Sequence, residues 1–201
     1  MSKNNSASKV KLFTREETIA FVAIFLIFAA VFTPNILVSL RRARDQVRRD
    51  DMGVLVHTID EYFADLGVFP PSTSDGRIVA CLKEGDKPYK DKKGQWVVPA
   101  IPCEWGKDPL MDYISGKVYL STLPQDPEWE KGAEYYYLSD GERYQIYGFM
   151  EGSDEAEIDD RIISQNLPCG NKVCNVGRSY GCDIPKTLQV CQEEAAALLK
   201  K

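Results

Sequence analysis

Residues 18–40 read TIAFVAIFLIFAAVFTPNILVSL, Thr18 to Leu40, without one charged side chain. About 23 residues at 1.5 Å each are long enough to cross a bilayer as a helix. Arg41-Arg42-Ala43-Arg44-Asp45 follows directly. From Leu40 onward the apolar residues Ala43, Val47, Val54, Leu55, Ile59, Tyr62, Phe63 and Leu66 recur at helical steps. That periodicity predicts that the helix continues as an amphipathic stem, with Arg41, Arg48, Arg49, Asp50, Asp51, Asp60 and Glu61 mostly on its other faces. Gly67 suits a left-handed cap, and Pro70-Pro71 forbid continuation. The expected helix therefore runs from near Glu16 to Leu66, about 75 Å.

Past Pro71 the pattern changes to short runs separated by turns. Trp96-Val97-Val98 lies in a turn-rich segment, and Lys117-Val118-Tyr119-Leu120 reads as a short strand. The clearest β signal is Glu134 to Leu138, an Asp140-Gly141 turn, then Arg143 to Met150. Two aromatic and β-branched runs around Asp-Gly make a hairpin. Its second strand alternates Tyr144 and Ile146 against Arg143, Gln145 and Tyr147, so one face should lie on the stem. Thr187 to Lys201 reads as a short helix with Leu188, Cys191, Ala195 and Leu198 on one side.

At 201 residues the chain has room for one ordinary domain besides the anchor and stem. A net charge of -5 gives no global basic field that would argue for nucleic acid. All six cysteines (Cys81, Cys103, Cys169, Cys174, Cys182 and Cys191) follow the apolar run, which reads as a disulfide set in an oxidising compartment. Six cysteines admit many pairings and the sequence selects none, although short separations favour Cys81–Cys103, Cys169–Cys174 and Cys182–Cys191. The spacing of the last four fits no zinc knuckle. Lys3, Lys9, Lys11 and Arg15 before the span nearly balance the arginines after it, so the cysteines decide orientation: head outside, N-terminal leader in the cytoplasm. A cleaved secretory signal is the rival, but Ala29-Ala30-Val31-Phe32-Thr33 lacks the A-x-A pattern that cleavage needs.

The expected fold class is α+β: a long N-terminal transmembrane-plus-stem helix packed on a small antiparallel head, with a cysteine-rich tail. Residues 1–12 form a leader-like segment, 13–40 the transmembrane helix and 41–67 the amphipathic stem. Residues 68–164 form the extracytoplasmic head with its hairpin, and 165–201 the disulfide-rich tail with a short helix.

Leu12-Phe13-Thr14-Arg15-Glu16-Glu17, the apolar helix with Pro34, and the stem ending Tyr62-Phe63-Ala64-Asp65-Leu66-Gly67-Val68-Phe69-Pro70 together resemble type IV pilins and the pseudopilins of type II secretion. Tyr119 to Pro127, followed by the tyrosine hairpin, is similar to the head of major pseudopilins. The resemblance implies processing by a prepilin peptidase between Leu12 and Phe13, with methylation of the new amine at Phe13. It implies that Glu17 pairs with that amine and sets subunit register, and that Pro34 kinks or loosens the helix. It also implies a bacterial cytoplasmic membrane location as a single-pass protein, an assembly platform and other pilin-like subunits as partners, and a surface filament as product. Calcium binding near this part of the head is a further implication, for which Asp154, Asp159 and Asp160 are the candidate ligands; a solvated acidic loop is the simpler reading. The chain departs from the family at Leu12, where glycine is usual, and at Arg15 and Glu16, where apolar residues are usual. An uncut chain would be an anchored, non-polymerising binding module such as a minor pilin or adhesin.

No phosphate-binding glycine loop, metalloprotease histidine pair or nucleophile elbow occurs in the sequence. His57, the only histidine, reads as a surface residue of the stem. The layout is that of a structural subunit and not of an enzyme, and it calls for no cofactor.

Overall fold

The computed structural model describes residues 14–198. It is α+β: a long N-terminal helix, several small antiparallel sheets and three disulfides. Helix α1 covers Arg15–Leu66. Contacts divide the chain into two units, residues 1–42 and 43–201, so α1 contributes to both. Gly67 closes the helix at φ +71°, donating its N–H to the Phe63 carbonyl at 2.7 Å.

In the second unit the short strands come first: β1 Val79–Cys81, β2 Tyr89–Lys90, β3 Trp96–Val97, β4 Ile101–Pro102, β5 Leu110–Met111 and β6 Val118–Leu120. They pair antiparallel as β1 with β4, β2 with β3 and β5 with β6. A single-turn 3-10 helix, η1, follows at Trp129–Lys131. The hairpin forms as β7 Tyr136–Ser139 and β8 Tyr144–Gly148. After α2 (Asp160–Ile163) come β9 Pro168–Cys169, β10 Lys172–Val173, β11 Val176–Tyr180 and α3 Leu188–Leu198.

Strand β8 is central in a three-stranded sheet, β11-β8-β7, and β11 comes from the segment read from sequence as a tail. Val176 pairs with Gly148 and Tyr180 with Tyr144. Every residue of β8 is buried, so both faces are covered. On one face Tyr144 and Ile146 join Tyr135, Tyr137, Phe69 and Val176 against Met52, Leu55 and Ile59 of the stem. On the other, Tyr136 and Tyr147 pack with Ile162, Cys169 and Cys174. The period-2 pattern of the strands thus feeds two apolar layers. Gln145, buried in the second, is held by the Lys186 carbonyl at 2.6 Å.

The buried face of the stem is Asp45, Arg48, Met52, Leu55, Thr58 and Ile59. This corrects the face expected from the sequence. Val47, Val54 and Leu66 are exposed, and Arg48, placed among outward charges, is fully buried. The expected pattern counted apolar residues alone, whereas the packed face begins with a charged pair.

Candidate functional site

Two features carry chemistry beyond ordinary packing. The first is the apolar stretch of α1. Every residue from Thr18 to Leu40 is exposed except half-buried Ala29, and Phe25 reaches 70% exposure. Water-soluble monomers rarely leave so long an apolar surface uncovered. Among the described residues α1 is the one helix long and apolar enough to cross a membrane. Its polar side chains turn inward to the backbone: Thr33 Oγ1 donates to the Ala29 carbonyl at 2.7 Å and Ser39 Oγ to that of Asn35 at 2.9 Å. Such back-bonds let hydroxyls reside in a low-dielectric environment. Pro34 lies inside α1, and the helix is continuous through it. Asn35 Nδ2 reaches the Val31 carbonyl at 3.2 Å beside the position where proline removes a donor.

At the start of α1, Thr14 and Glu17 form a reciprocal capping box. The Thr14 N–H donates to Glu17 Oε2 at 2.8 Å, and the Glu17 N–H donates to Thr14 Oγ1 at 3.3 Å. Glu17 therefore satisfies the helix's own N-terminus. The processing positions Leu12 and Phe13 lie outside the described residues.

The second feature is an ion cluster where the stem meets the head, within residues 43–201. Asp45 and Arg48 sit one turn apart, and both are fully buried. The Arg48 guanidinium donates from Nε and Nη2 to the two carboxylate oxygens of Asp126, at 2.8 and 2.9 Å. Nη1 donates to Asp45 Oδ1 and Glu151 Oε1, each at 2.8 Å. Asp45 in turn accepts the backbone N–H groups of Glu151 and Gly152 at 2.9 and 3.0 Å. Arg44 clasps Glu151 through Nε and Nη2 at 2.7 and 2.6 Å. One turn on, Arg49 pairs with Glu157 at 2.7 Å and with Glu155.

Burial alone would push Arg48 toward losing its charge. The hydrogen bonds to Asp126, Glu151 and Asp45 outweigh burial and hold it protonated above its ordinary range. The Arg44 hydrogen bond, aided by Arg48 against the opposing effect of burial, holds the Glu151 carboxyl down to about 2. Nearby, the Tyr135 hydroxyl donates to Asp51 at 2.6 Å and that of Tyr144 to Asp60 at 3.1 Å. The cluster fixes the orientation of the head on the first turns of the stem. A buried guanidinium with its donors directed at three carboxylates has one acceptable arrangement, and slippage would strand charge.

The acidic run after Met150 is thus largely not a solvated loop. Glu151, Glu155 and Glu157 are the stem arginines' partners. Of the calcium candidates, Asp159 caps α2 and pairs with Arg161 at 2.6 Å. Asp160 is the first residue of α2, and Asp154 lies in the preceding loop. Among the described residues no group of three or more His, Cys, Asp or Glu side chains is disposed to hold a metal ion. All six cysteines are paired, as Cys81–Cys103, Cys169–Cys174 and Cys182–Cys191. His57 is exposed.

Arg48, Asp45 and Asp126 escaped the sequence reading. The signal available was the i, i+3 spacing of Asp45 and Arg48 in phase with Met52, Leu55 and Ile59. No protein-family model, curated protein or solved structure matches this chain.

Proposed function

We propose that this chain is a membrane-anchored, prepilin-like structural subunit that assembles through its N-terminal helix into a type IV pilus or a type II secretion pseudopilus. The observation that carries the reading is the uncovered apolar stretch of α1, which needs lipid or neighbouring helices around it. The buried arginine cluster supports it, because a head fixed on its own stem suits a subunit whose stems bundle. The three disulfides fit an extracytoplasmic head. Intact-mass analysis of the membrane fraction tests the proposal. A chain shortened by its first twelve residues and methylated at Phe13 is the expected species. Full-length chain alone would end the polymer reading.

A second reading is favoured by one specific arrangement. Glu17 is already engaged by the Thr14 N–H, and Leu12 stands where a prepilin carries glycine. On this reading the chain stays uncut, as an anchored, non-polymerising minor pilin or adhesin. Crosslinking in membranes separates the two, since the uncut module should yield only monomer.

A further inference from the structure

Separate stretches of chain converge on one recess of the head. A cavity of about 410 Å³ takes its walls from the turn carrying Asp75 and Arg77, from Glu104 and Trp105 beyond β4, and from the run between β6 and β7 that carries Gln125, Trp129 and Glu134. Its volume falls within the about 300–1,000 Å³ usual for small-molecule clefts. The walls are held by contacts already in place. Cys103, bridged to Cys81, precedes Glu104, whose N–H donates to Asp108 Oδ2 at 2.7 Å. Gly106, at φ +74°, leaves the room that Gln125 occupies, because a Cβ there would lie 2.4 Å from Gln125 Oε1. Asp126 is gripped by Arg48, and the Trp129 N–H donates to the Asp126 carbonyl at 3.0 Å. Trp105 meets the Tyr135 ring edge-on, with centroids 5.8 Å apart. A recess built before its ligand arrives loses little to ordering when the ligand binds.

The charges of the lining are almost all balanced. Arg77 pairs with Asp75 at 2.9 Å, Lys107 with Glu104 at 2.8 Å and Arg48 with Asp126 at 2.8 Å. Glu134 is left as the one surplus charge among the lining residues and their partners. An anion would meet that carboxylate, and a cation would meet Arg77. Hydrogen-bonding capacity nevertheless remains. Arg77 engages Asp75 through Nε, while the half-buried Gln125 carboxamide and the exposed Glu134 carboxylate make no side-chain hydrogen bond among the described residues. Trp129 is 51% exposed. None of the lining residues belongs to a strand, so no open sheet edge is offered to a peptide backbone.

We propose that this cavity binds a neutral glycan, seating a pyranose ring against Trp129 and holding its hydroxyls at Arg77, Gln125 and Glu134. A pyranose offers an apolar C–H face and a rim of hydroxyls, each able both to donate and to accept. The C–H face suits the electron-rich face of an indole. The hydroxyls donate to Glu134 and Gln125 Oε1 and accept from the Arg77 Nη groups and Gln125 Nε2. A neutral ligand uses all of these without bringing a new charge out of water. Such binding needs no polymer, and it would serve a filament subunit and an anchored monomer alike.

The test uses the full-length chain in phosphatidylcholine nanodiscs, free of sugar-based detergent. The probe is a panel of immobilised neutral oligosaccharides, with sialylated and sulfated ones for comparison. A neutral member should bind, and the same glycan in solution should change the tryptophan fluorescence to saturation. Trp129→Ala and Glu134→Ala should each weaken that binding about tenfold. Trp96→Ala, in a different groove, should leave it unchanged. Intact mass with three disulfides, and an unchanged circular dichroism spectrum, establish that each variant folds. Absence of binding to every neutral member at millimolar concentration overturns the proposal, as does a preference for the anionic members. Full affinity in either cavity variant, or loss on Trp96→Ala, overturns the assignment to this cavity. All of these outcomes leave the filament reading standing, because that reading is decided by chain mass and crosslinking.

Discussion

Arg48 and Asp126 are joined by two parallel hydrogen bonds of 2.8 and 2.9 Å, with both side chains withdrawn from solvent although they stand 78 positions apart in the chain. Desolvating a guanidinium is costly, and the cost is met only while its carboxylate partners stay in place. Arg48→Met should therefore leave Asp45 and Asp126 buried without their cation, held by backbone N–H groups alone, and cost about 3–5 kcal/mol. Denaturant unfolding of the head, followed by tyrosine fluorescence, measures it. A loss below about 1 kcal/mol would mean that water enters the cluster and that the lock is weak.

Glu151 gives the cluster its pH dependence. Its carboxyl is held near 2 by Arg44 and Arg48 in the folded chain, against an ordinary value of 4.5. A depressed folded value stabilises the native state above the unfolded value, and that contribution is lost as the pH falls through the folded one. Stability should therefore decline between about pH 4.5 and 2, and Glu151→Gln should flatten the decline over that window. Unfolding midpoints collected across the window decide it, parallel curves for both proteins being the contrary result.

The Cys81–Cys103 bridge spans 22 residues and lies in the core beside the β1–β4 pair, whereas Cys169–Cys174 closes only five. Longer closed loops restrain the unfolded chain more. Replacing Cys81 and Cys103 by serine should cost about 2–5 kcal/mol, and more than the same change at Cys169 and Cys174. Urea midpoints of the two double variants give the order directly.

Gly170 has φ +66°, and a Cβ there would come within 2.0 Å of the Gly132 carbonyl oxygen. Gly94 has a similar φ of +78° with open space around it. Gly94→Ala should lose only the left-handed penalty, about 1–2 kcal/mol. Gly170→Ala must also push apart the bridge between Ala133 and Gly170, so its thermal midpoint should fall further. Equal midpoints would show that this bridge yields without strain.

Local signals in the sequence were legible and distant ones were not. Asp140-Gly141 flanked by tyrosines marked the β7–β8 hairpin, and Gly67 before Pro70-Pro71 marked the helix end, because turn chemistry resides in adjacent residues. Strand β11 was missed: Val-Gly-Arg-Ser-Tyr at 176–180 has little apolar alternation, and it becomes a strand by pairing with β8. The phase of the stem was misread because Arg48 and Asp45 look like solvent-facing charges until Asp126 and Glu151 arrive from elsewhere in the chain. The acidic run at 151–157 was visible as charge, but its partners Arg44 and Arg49 lie more than a hundred residues upstream.

The order β11-β8-β7 has a consequence for biosynthesis. The hairpin is complete once Gly148 has been made, yet one edge of its inner strand stays open until Tyr180 follows. During that interval a nascent or truncated chain exposes a row of unsatisfied amides and carbonyls, a template for pairing with other molecules. Any truncation before Val176 should therefore produce aggregating protein, and quality control acting on this chain has an unfinished sheet edge to recognise.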